Sequence, residues 1–442
     1  MSAAFLTTDE ATDTATAQAT AEAPVQQRPS LRVVPRPNQG IWPGLEVPPR
    51  NAFKAKIAQA LFTRAVRDLP VRVVYPGGRV LGSGGKQDPV MRLERPEAFF
   101  HRLGSDAKIG FGEAYMVGDW STGQGTDLAD LLAPFAGRMA RLIHPELQRF
   151  RNAVERQQPV EEENTVDQAR DNIARHYDLS NDLFAQFLDE TMTYSSAWFE
   201  DDDSLADAQQ RKIDGILDFA RVRAGSEVLE IGAGWGGLAL RAAQRGARVV
   251  TLTLSEEQKA LAEKRIAAAG CADRVSVVLQ DYREAQGQYD AVISVEMIEA
   301  VGIDFWPTYF QSLDRLLAPE GRVGLQSITM PHDRMIATRR SYTWIHKYIF
   351  PGGFIPSIPA IEHNLDAHTS LEIVERRDLG PHYAETLRQW RGRFVSNWPE
   401  VAALGFDETF RRMWEFYLGY CEAGFRVRYL GVSQLSLARS RF

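Results

Sequence analysis

Cysteine is nearly missing from this chain. Cys271 and Cys421 are the two among 442 residues, too few for a disulfide framework and without a CxxC metal motif, which fits a reducing, cytoplasmic compartment. Histidine is thin as well. Its eight residues are scattered, with no HExxH or other helical ligand pair, so no metal is expected. Long apolar runs are lacking: no stretch approaches the ~20 residues that a bilayer demands. The opening MSAAFLTTDEATDTATAQAT has neither a basic n-region nor a continuous apolar h-region, so no secretory signal is expected. Positive charge is not in excess either. A formal net charge of -7 disfavours a protein that tracks nucleic-acid phosphates, while a local basic patch against an anionic membrane stays compatible with that mean.

What is there is ordinary for a globular protein, 44% hydrophobic and 25% charged, and long enough for two compact units plus a tail. Residues 1–50, rich in Ala, Thr, Gln and Pro, read as a disordered tail. From Asn51 apolar residues Phe53, Ile57, Leu61 and Val66 recur at near-helical spacing among Lys54, Lys56, Arg64 and Arg67. Such a helix either covers its own domain or docks on a membrane. VRVVYPGG reads as a strand and turn, and Leu128, Leu131, Leu132 and Phe135 mark a helix, giving a small α+β domain over 51–145. A polar linker is expected over 146–165 and a larger domain over 166–442. In that domain VLEI, RVVTLTL, RVSVVL, YDAVISV and GRVGLQSITM alternate with helical stretches, which predicts a mostly parallel, doubly wound α/β sheet.

Gly232, Gly234, Gly236 and Gly237 follow Val228–Ile231 and open a helix. Glycine there permits a tight turn and lets a ligand lie against bare backbone at the carboxyl edge of a sheet. The spacing also satisfies GxGxxG, so an NAD-dependent oxidoreductase competes with a methyltransferase. The second strand ends TLTLS, without the acid an NAD site places at its tip, whereas Glu230 precedes the first glycine and Gln280-Asp281-Tyr282 ends the next strand. Glu256 and Glu257 suit a helix N-terminus.

Longer words narrow the field. NIARHYDLSNDLFAQFLDETMTYSSAWF (172–199), VLEIGAGWGG, TLTLSEEQ, QDYR, SVEMIEAVG, KYIFPGG, HYAETLRQW and FYLGYCEAGFR occur in that order. Together they resemble the cyclopropane-fatty-acyl-phospholipid synthase family, nearest its actinobacterial branch that makes 10-methylene fatty acids on the way to tuberculostearic acid. The resemblance implies a Rossmann-like class I methyltransferase domain behind a lipid-associated N-terminal domain, the latter chiefly through GFGEAYMVGDW. It implies that S-adenosylmethionine lies against Tyr194, Ser195, Gly232, Ala233, Gly234, Thr253, Leu254, Gln258, Tyr282 and Arg283. It also implies a bicarbonate ion as base, held by Ser196, Glu299, Gln326, Ile328 and Tyr383. Ser196 stands where cysteine is usual, and Gln326 where histidine is frequent.

The implied chemistry is methyl transfer to an alkene, a poor nucleophile that needs a sulfonium donor. The resulting carbocation must lose a proton to give a cyclopropane or, after a hydride shift, an exocyclic methylene. The pocket must exclude water, which would trap the cation. Aromatic faces stabilise cations, and Trp306, Tyr309, Phe310 and Trp344 either do so or simply pack the core. Glu299 is the expected base-organising carboxylate, three residues after Glu296, and Arg334, Arg339, Arg340 and Lys347 either meet a lipid head group or simply form a solvated charged face. The expected partners are unsaturated phospholipid acyl chains and the inner membrane face; a homodimer and a reductase for a methylene product are further partners the resemblance allows. A cyclopropane-forming synthase, a small-molecule N-methyltransferase and a non-catalytic lipid-binding relative are the competing readings.

Overall fold

The computed structural model describes residues 40–141 and 180–440. The expected linker at 146–165, the expected tail up to residue 39 and residues 172–179 of the NIARHYDL motif lie outside the described residues. The rest of the expected tail is anchored: the Trp42 indole donates to Asp407 Oδ2 at 2.9 Å, and Leu45 is buried with its carbonyl accepting from Arg102.

The N-terminal elements run α1 (Ala52–Val66), β1 (Arg72–Val74), β2 (Val80–Leu81), β3 (Val90–Leu93), α2 (Pro96–Ser105), α3 (Ala107–Met116), β4 (Trp120–Thr122) and α4 (Leu128–Arg141). Their strands form a sheet in the order β2-β1-β3-β4. Asn51 caps α1 by accepting from Lys54 N, the usual use of a short polar side chain at that position. Of the apolar residues at helical spacing in α1, Val66 faces inward; Phe53, Ile57 and Leu61 point outward at 74%, 45% and 63% exposure. Ala55, Ala58 and Phe62 form the inner face instead. Two apolar stripes on one helix satisfy the same period, and the neighbours in space decide between them.

The larger layer continues α5 (Asn181–Ala185), α6 (Leu205–Phe219), β5 (Glu227–Ile231), α7 (Gly237–Gln244), β6 (Arg248–Thr253), α8 (Glu256–Ala268), β7 (Val275–Leu279), β8 (Tyr289–Val295), α9 (Ile298–Val301), α10 (Trp306–Leu316) and β9 (Leu317–Thr329). It ends with α11 (His332–Thr338), α12 (Trp344–Tyr348), α13 (Ile358–His368), β10 (Leu371–Asp378), α14 (Gly380–Ser396), α15 (Trp398–Ala403), α16 (Glu408–Arg426) and β11 (Gly431–Arg439). The sheet order is β10-β11-β9-β8-β5-β6-β7. Strands β9, β8, β5, β6 and β7 pair in parallel in that order, and β11 joins antiparallel between β9 and β10. This is the mostly parallel α/β sheet expected from the strand–helix alternation.

One apolar core runs from Phe99, Trp120 and Leu131 of the N-terminal elements into Trp390, Trp414 and Phe416 of α14 and α16. Gly112 of α3 meets Trp344 of α12 so closely that an added Cβ would lie 2.6 Å from the indole. Three of the four aromatics singled out above, Trp306, Tyr309 and Phe310, fill a second core behind β8 and β9. They pack the sheet, and Trp344 packs the seam.

Candidate active site

The glycine turn leaves β5 with backbone that side chains would obstruct. Gly232 holds φ +96°, and a Cβ there would lie 2.6 Å from Met297 Sδ. Gly234 holds φ +48° with open space before it. The N–H groups of Gly232 and Ala233 both donate to Leu252 O, at 3.0 and 2.8 Å, which fixes the turn against the end of β6. Thr253 Oγ1 donates to Gln258 Oε1 at 2.9 Å and accepts from Ser255 N, while the Ser255 hydroxyl caps α8. Leu254 sits between them, half-buried. Beyond β7, Asp281 holds Arg283 at 2.6 Å, and that guanidinium lies over the Tyr282 ring. Glu256 and Glu257 occupy the first turn of α8 as expected.

A strap crosses this edge. A Cβ on Gly237 would lie 2.8 Å from Thr191 O, so residues 190–193 run directly over the start of α7. Arg265 of α8 ties strap to turn, donating to Trp235 O, Glu190 O and Thr191 O at 2.6, 2.8 and 3.0 Å. Tyr194 follows, its hydroxyl 2.7 Å from that of Tyr417 and its ring stacked on Trp390. Ser195 Oγ accepts from Lys212 Nζ at 2.5 Å.

The five positions expected around a bicarbonate converge, although not on each other alone. Glu296 Oε1 accepts from the Ser196 N–H at 2.9 Å and from Gln326 Nε2 at 2.8 Å, and Oε2 accepts from the Tyr383 hydroxyl at 2.7 Å. Glu299 Oε1 accepts from Ser327 Oγ at 3.0 Å and from the Ile328 N–H. Glu299 Oε2 is buried with no hydrogen-bond partner among the described residues. The Ser196 hydroxyl turns back to Ala197 O, so its backbone, not its side chain, meets the carboxylate.

Burial governs the charge of this cluster. It pushes Glu299 up to about 8, with the neighbouring Glu296 adding to the effect. Burial also raises Glu230 to about 8, against the hydrogen bond from Thr251 and the Lys212 charge. Glu296 is raised by burial while Lys212 and its three hydrogen bonds oppose the rise. Lys212 itself is lowered to about 8 by burial, against Glu296, Asp189 and Glu230.

The local motifs did not point to Glu296 as the hub, to Lys212 beneath it, to Arg265, or to Gln434. Gln434 Nε2 donates to Gln326 Oε1 at 3.1 Å and Lys212 O at 3.0 Å, and its Oε1 accepts from Arg377 at 3.2 Å. The one available signal was the pair of glutamates in SVEMIEAVG. Of the cations proposed for a head group, Lys347 is paired with Glu113 at 2.6 Å and Arg334 is buried; Arg339 and Arg340 stay exposed.

A parallel sheet whose first crossover carries a glycine turn, with polar groups at the tips of the next two strands, defines a class I methyltransferase. A solved structure of the mycolic acid cyclopropane synthase CmaA1 with S-adenosylhomocysteine and CTAB matches 61% of this chain and 97% of its own length, at 32% identity and TM-score 0.57. Residues 164–435 match the family described as mycolic acid cyclopropane synthetase, and the chain belongs to that family. It is 51% identical over 409 residues to tuberculostearic acid methyltransferase UfaA1 of Mycobacterium tuberculosis, covering 90% of this chain and 95% of that protein. It is 35% identical over 353 residues to the cyclopropane-fatty-acyl-phospholipid synthase of Escherichia coli, covering 79% and 87%. The chain is therefore an S-adenosylmethionine-dependent methyltransferase, and the oxidoreductase and non-catalytic readings fall away.

Proposed function

We propose that this chain methylates the double bond of an unsaturated phospholipid acyl chain and releases a 10-methylene acyl product. The observation that carries the proposal is the 51% identity to a tuberculostearic acid methyltransferase over 90% of the chain. Extension of that likeness through the N-terminal elements argues against a small-molecule N-methyltransferase. The cofactor fits the bare turn: Gly234 has open space where a side chain would stand, and Gly232, Ala233, Thr253, Leu254, Gln258, Tyr282 and Arg283 surround the same edge. Bound there, S-adenosylmethionine supplies an electrophilic methyl group. Tyr194 and Ser195 follow the strap, where they close the edge from water. The cluster of Ser196, Glu296, Glu299, Gln326, Ile328 and Tyr383 then stands at the reacting carbons, where a proton must leave.

Methylene and cyclopropane products differ by which hydrogens move, and the E. coli synthase, at 35% identity, keeps the ring-closing alternative in view. Expression in a host rich in oleoyl lipids, followed by fatty-acid methyl ester chromatography and NMR, decides between them. Vinylidene protons are the expected result, and cyclopropane protons as the sole new signal would overturn the product assignment. A separate reductase is the expected consumer of a methylene product.

The acyl substrate places this protein at the inner membrane face as a peripheral enzyme. No helix among the described residues is long and apolar enough to cross a membrane. The outward stripe of α1, Phe53, Ile57 and Leu61, lies beside an open hollow lined by Lys56, Arg64 and Arg67 and by Arg138, which pairs there with Asp68 at 3.6 Å. Apolar side chains rimmed by cations suit an anionic lipid surface.

A further inference from the structure

We propose that Glu296 is the proton acceptor of this reaction, a carboxylate of the chain standing where the family resemblance puts a bicarbonate ion. The inference rests on the methyl-transfer reading above. Of the five positions expected to hold that ion, Ser196, Gln326 and Tyr383 give their donors to Glu296, at 2.9, 2.8 and 2.7 Å. Ile328 gives its N–H to Glu299. The donors that Ser196, Gln326, Tyr383 and Ile328 turn to this place are thus taken by protein carboxylates, and a free anion there would meet the charge of Glu296 rather than a cradle. The residues present do not fit bicarbonate in that place.

Three observations mark Glu296 as a group held for use. It lies at the carboxyl end of β8 with φ +52°, a left-handed conformation that side chains avoid and that persists where the surroundings enforce it. Its N–H donates to Gln326 O at 2.8 Å while both of its carboxyl oxygens are gripped.

The second observation is the sense of the relay behind it. Arg377 can only donate and the Lys212 carbonyl can only accept, so Gln434 is oriented by both. Gln434 therefore donates to Gln326 Oε1, and Gln326 must turn its NH₂ group to Glu296. That relay favours the charged carboxylate, as does buried Lys212 nearby.

The third is spare capacity. Among the described residues Oε2 accepts a single hydrogen bond, from Tyr383, and a carboxylate oxygen has room for a second. Glu299, whose carboxyl is pushed up to about 8, keeps its proton at neutral pH and leaves Glu296 as the acceptor of the pair.

The step balances. Methyl transfer leaves the positive charge on the second alkene carbon, and a hydride shift moves that charge to the carbon bearing the methyl. A C–H bond of the methyl then breaks, its electron pair becomes the exocyclic C=C bond, and the proton passes to Glu296 Oε2. The charge that arrived with the sulfonium leaves as that proton.

The test compares turnover on oleoyl-phospholipid vesicles in CO₂-free buffer with and without added bicarbonate. Wild-type turnover should be the same in both. Glu296→Gln should bind S-adenosylmethionine with wild-type affinity by calorimetry yet lose about 10²–10⁴-fold in turnover, the span of a general base. Glu296→Gly relieves the left-handed strain and frees the Ser196, Gln326 and Tyr383 donors, so its lost turnover should return in part with added bicarbonate. Wild-type activity that collapses without bicarbonate overturns the proposal. So does near-normal turnover in Glu296→Gln, or a cofactor-binding Glu296→Gly that bicarbonate fails to rescue. A wild type that yields no methylated lipid in either buffer sinks the methyl-transfer reading itself, which the bicarbonate comparison keeps separate.

Discussion

Two carboxyl groups, Glu230 and Glu299, are held at about 8 inside the fold, burial being the main cause in each. An unfolded chain releases such protons near 4.5. Between those two values the folded protein holds protons that the unfolded chain has lost. The stability linked to them is fully present below about 4.5 and is lost as pH rises through about 8. Melting temperature should therefore decline by several degrees from weakly acidic to weakly alkaline buffer, and Glu299→Gln should flatten part of that slope. An unchanged slope in the variant would assign the loss to other groups. Single residues were unevenly legible in the sequence. Glycines 232, 234 and 236 and the Thr253–Gln258 pair act within a few residues of themselves, so local words carried them. Glu296 was visible as a neighbour of Glu299, but its partners Ser196 and Tyr383 lie 100 and 87 residues away. No local pattern announces donors at that separation.

Helix α1 is the element whose sequence said most about its existence and least about its orientation. Its period fixed a helix, while the choice of inner face fell to Ala55, Ala58, Phe62 and Val66, small or well-fitted side chains that the neighbours accept. The outward stripe is left with Phe53, Ile57 and Leu61 on one face by the 3.6-residue repeat. Each basic residue near an anionic surface is worth about 1 kcal/mol, so Lys56→Glu, Arg64→Glu and Arg67→Glu together should weaken binding to anionic vesicles by about a hundredfold. Replacing Phe53, Ile57 and Leu61 by Ser should weaken binding to neutral vesicles as well, with cofactor affinity untouched in both variants. Co-sedimentation indifferent to both sets would return α1 to a purely structural role. Strands of the larger sheet were easier to read, because β5 to β8 are short apolar runs separated by helices. The antiparallel insertion of β11 between β9 and β10 was not readable, since its pairings are long-range, Gly431 with Thr329 on one side and Arg439 with Leu371 on the other.

Over the whole molecule the N-terminal elements and the catalytic layer are joined by charge as well as by core. Arg391 of α14, nearly buried, pairs with Glu422 of α16 at 2.9 Å and with Asp127, just before α4, at 2.8 Å. Arg412 of α16 donates to Tyr115 O and Trp120 O. Removing one partner of a buried pair strands the other charge, at a cost of about 3–5 kcal/mol. Glu422→Ala should therefore lower the urea midpoint markedly, and the N-terminal elements and the catalytic layer should still unfold in one transition. A second, earlier transition confined to the variant would mean the seam is weaker than its contacts suggest. The place of β11 has a consequence in time. A ribosome makes residues 431–439 after every other described strand, yet they lie between β9 and β10. Gln434, which sets the orientation of Gln326, arrives with them. A nascent chain can build the glycine turn early, but Gln326 is not set toward Glu296 until this strand slots in, so the corner used last in the reaction is also the last to be completed.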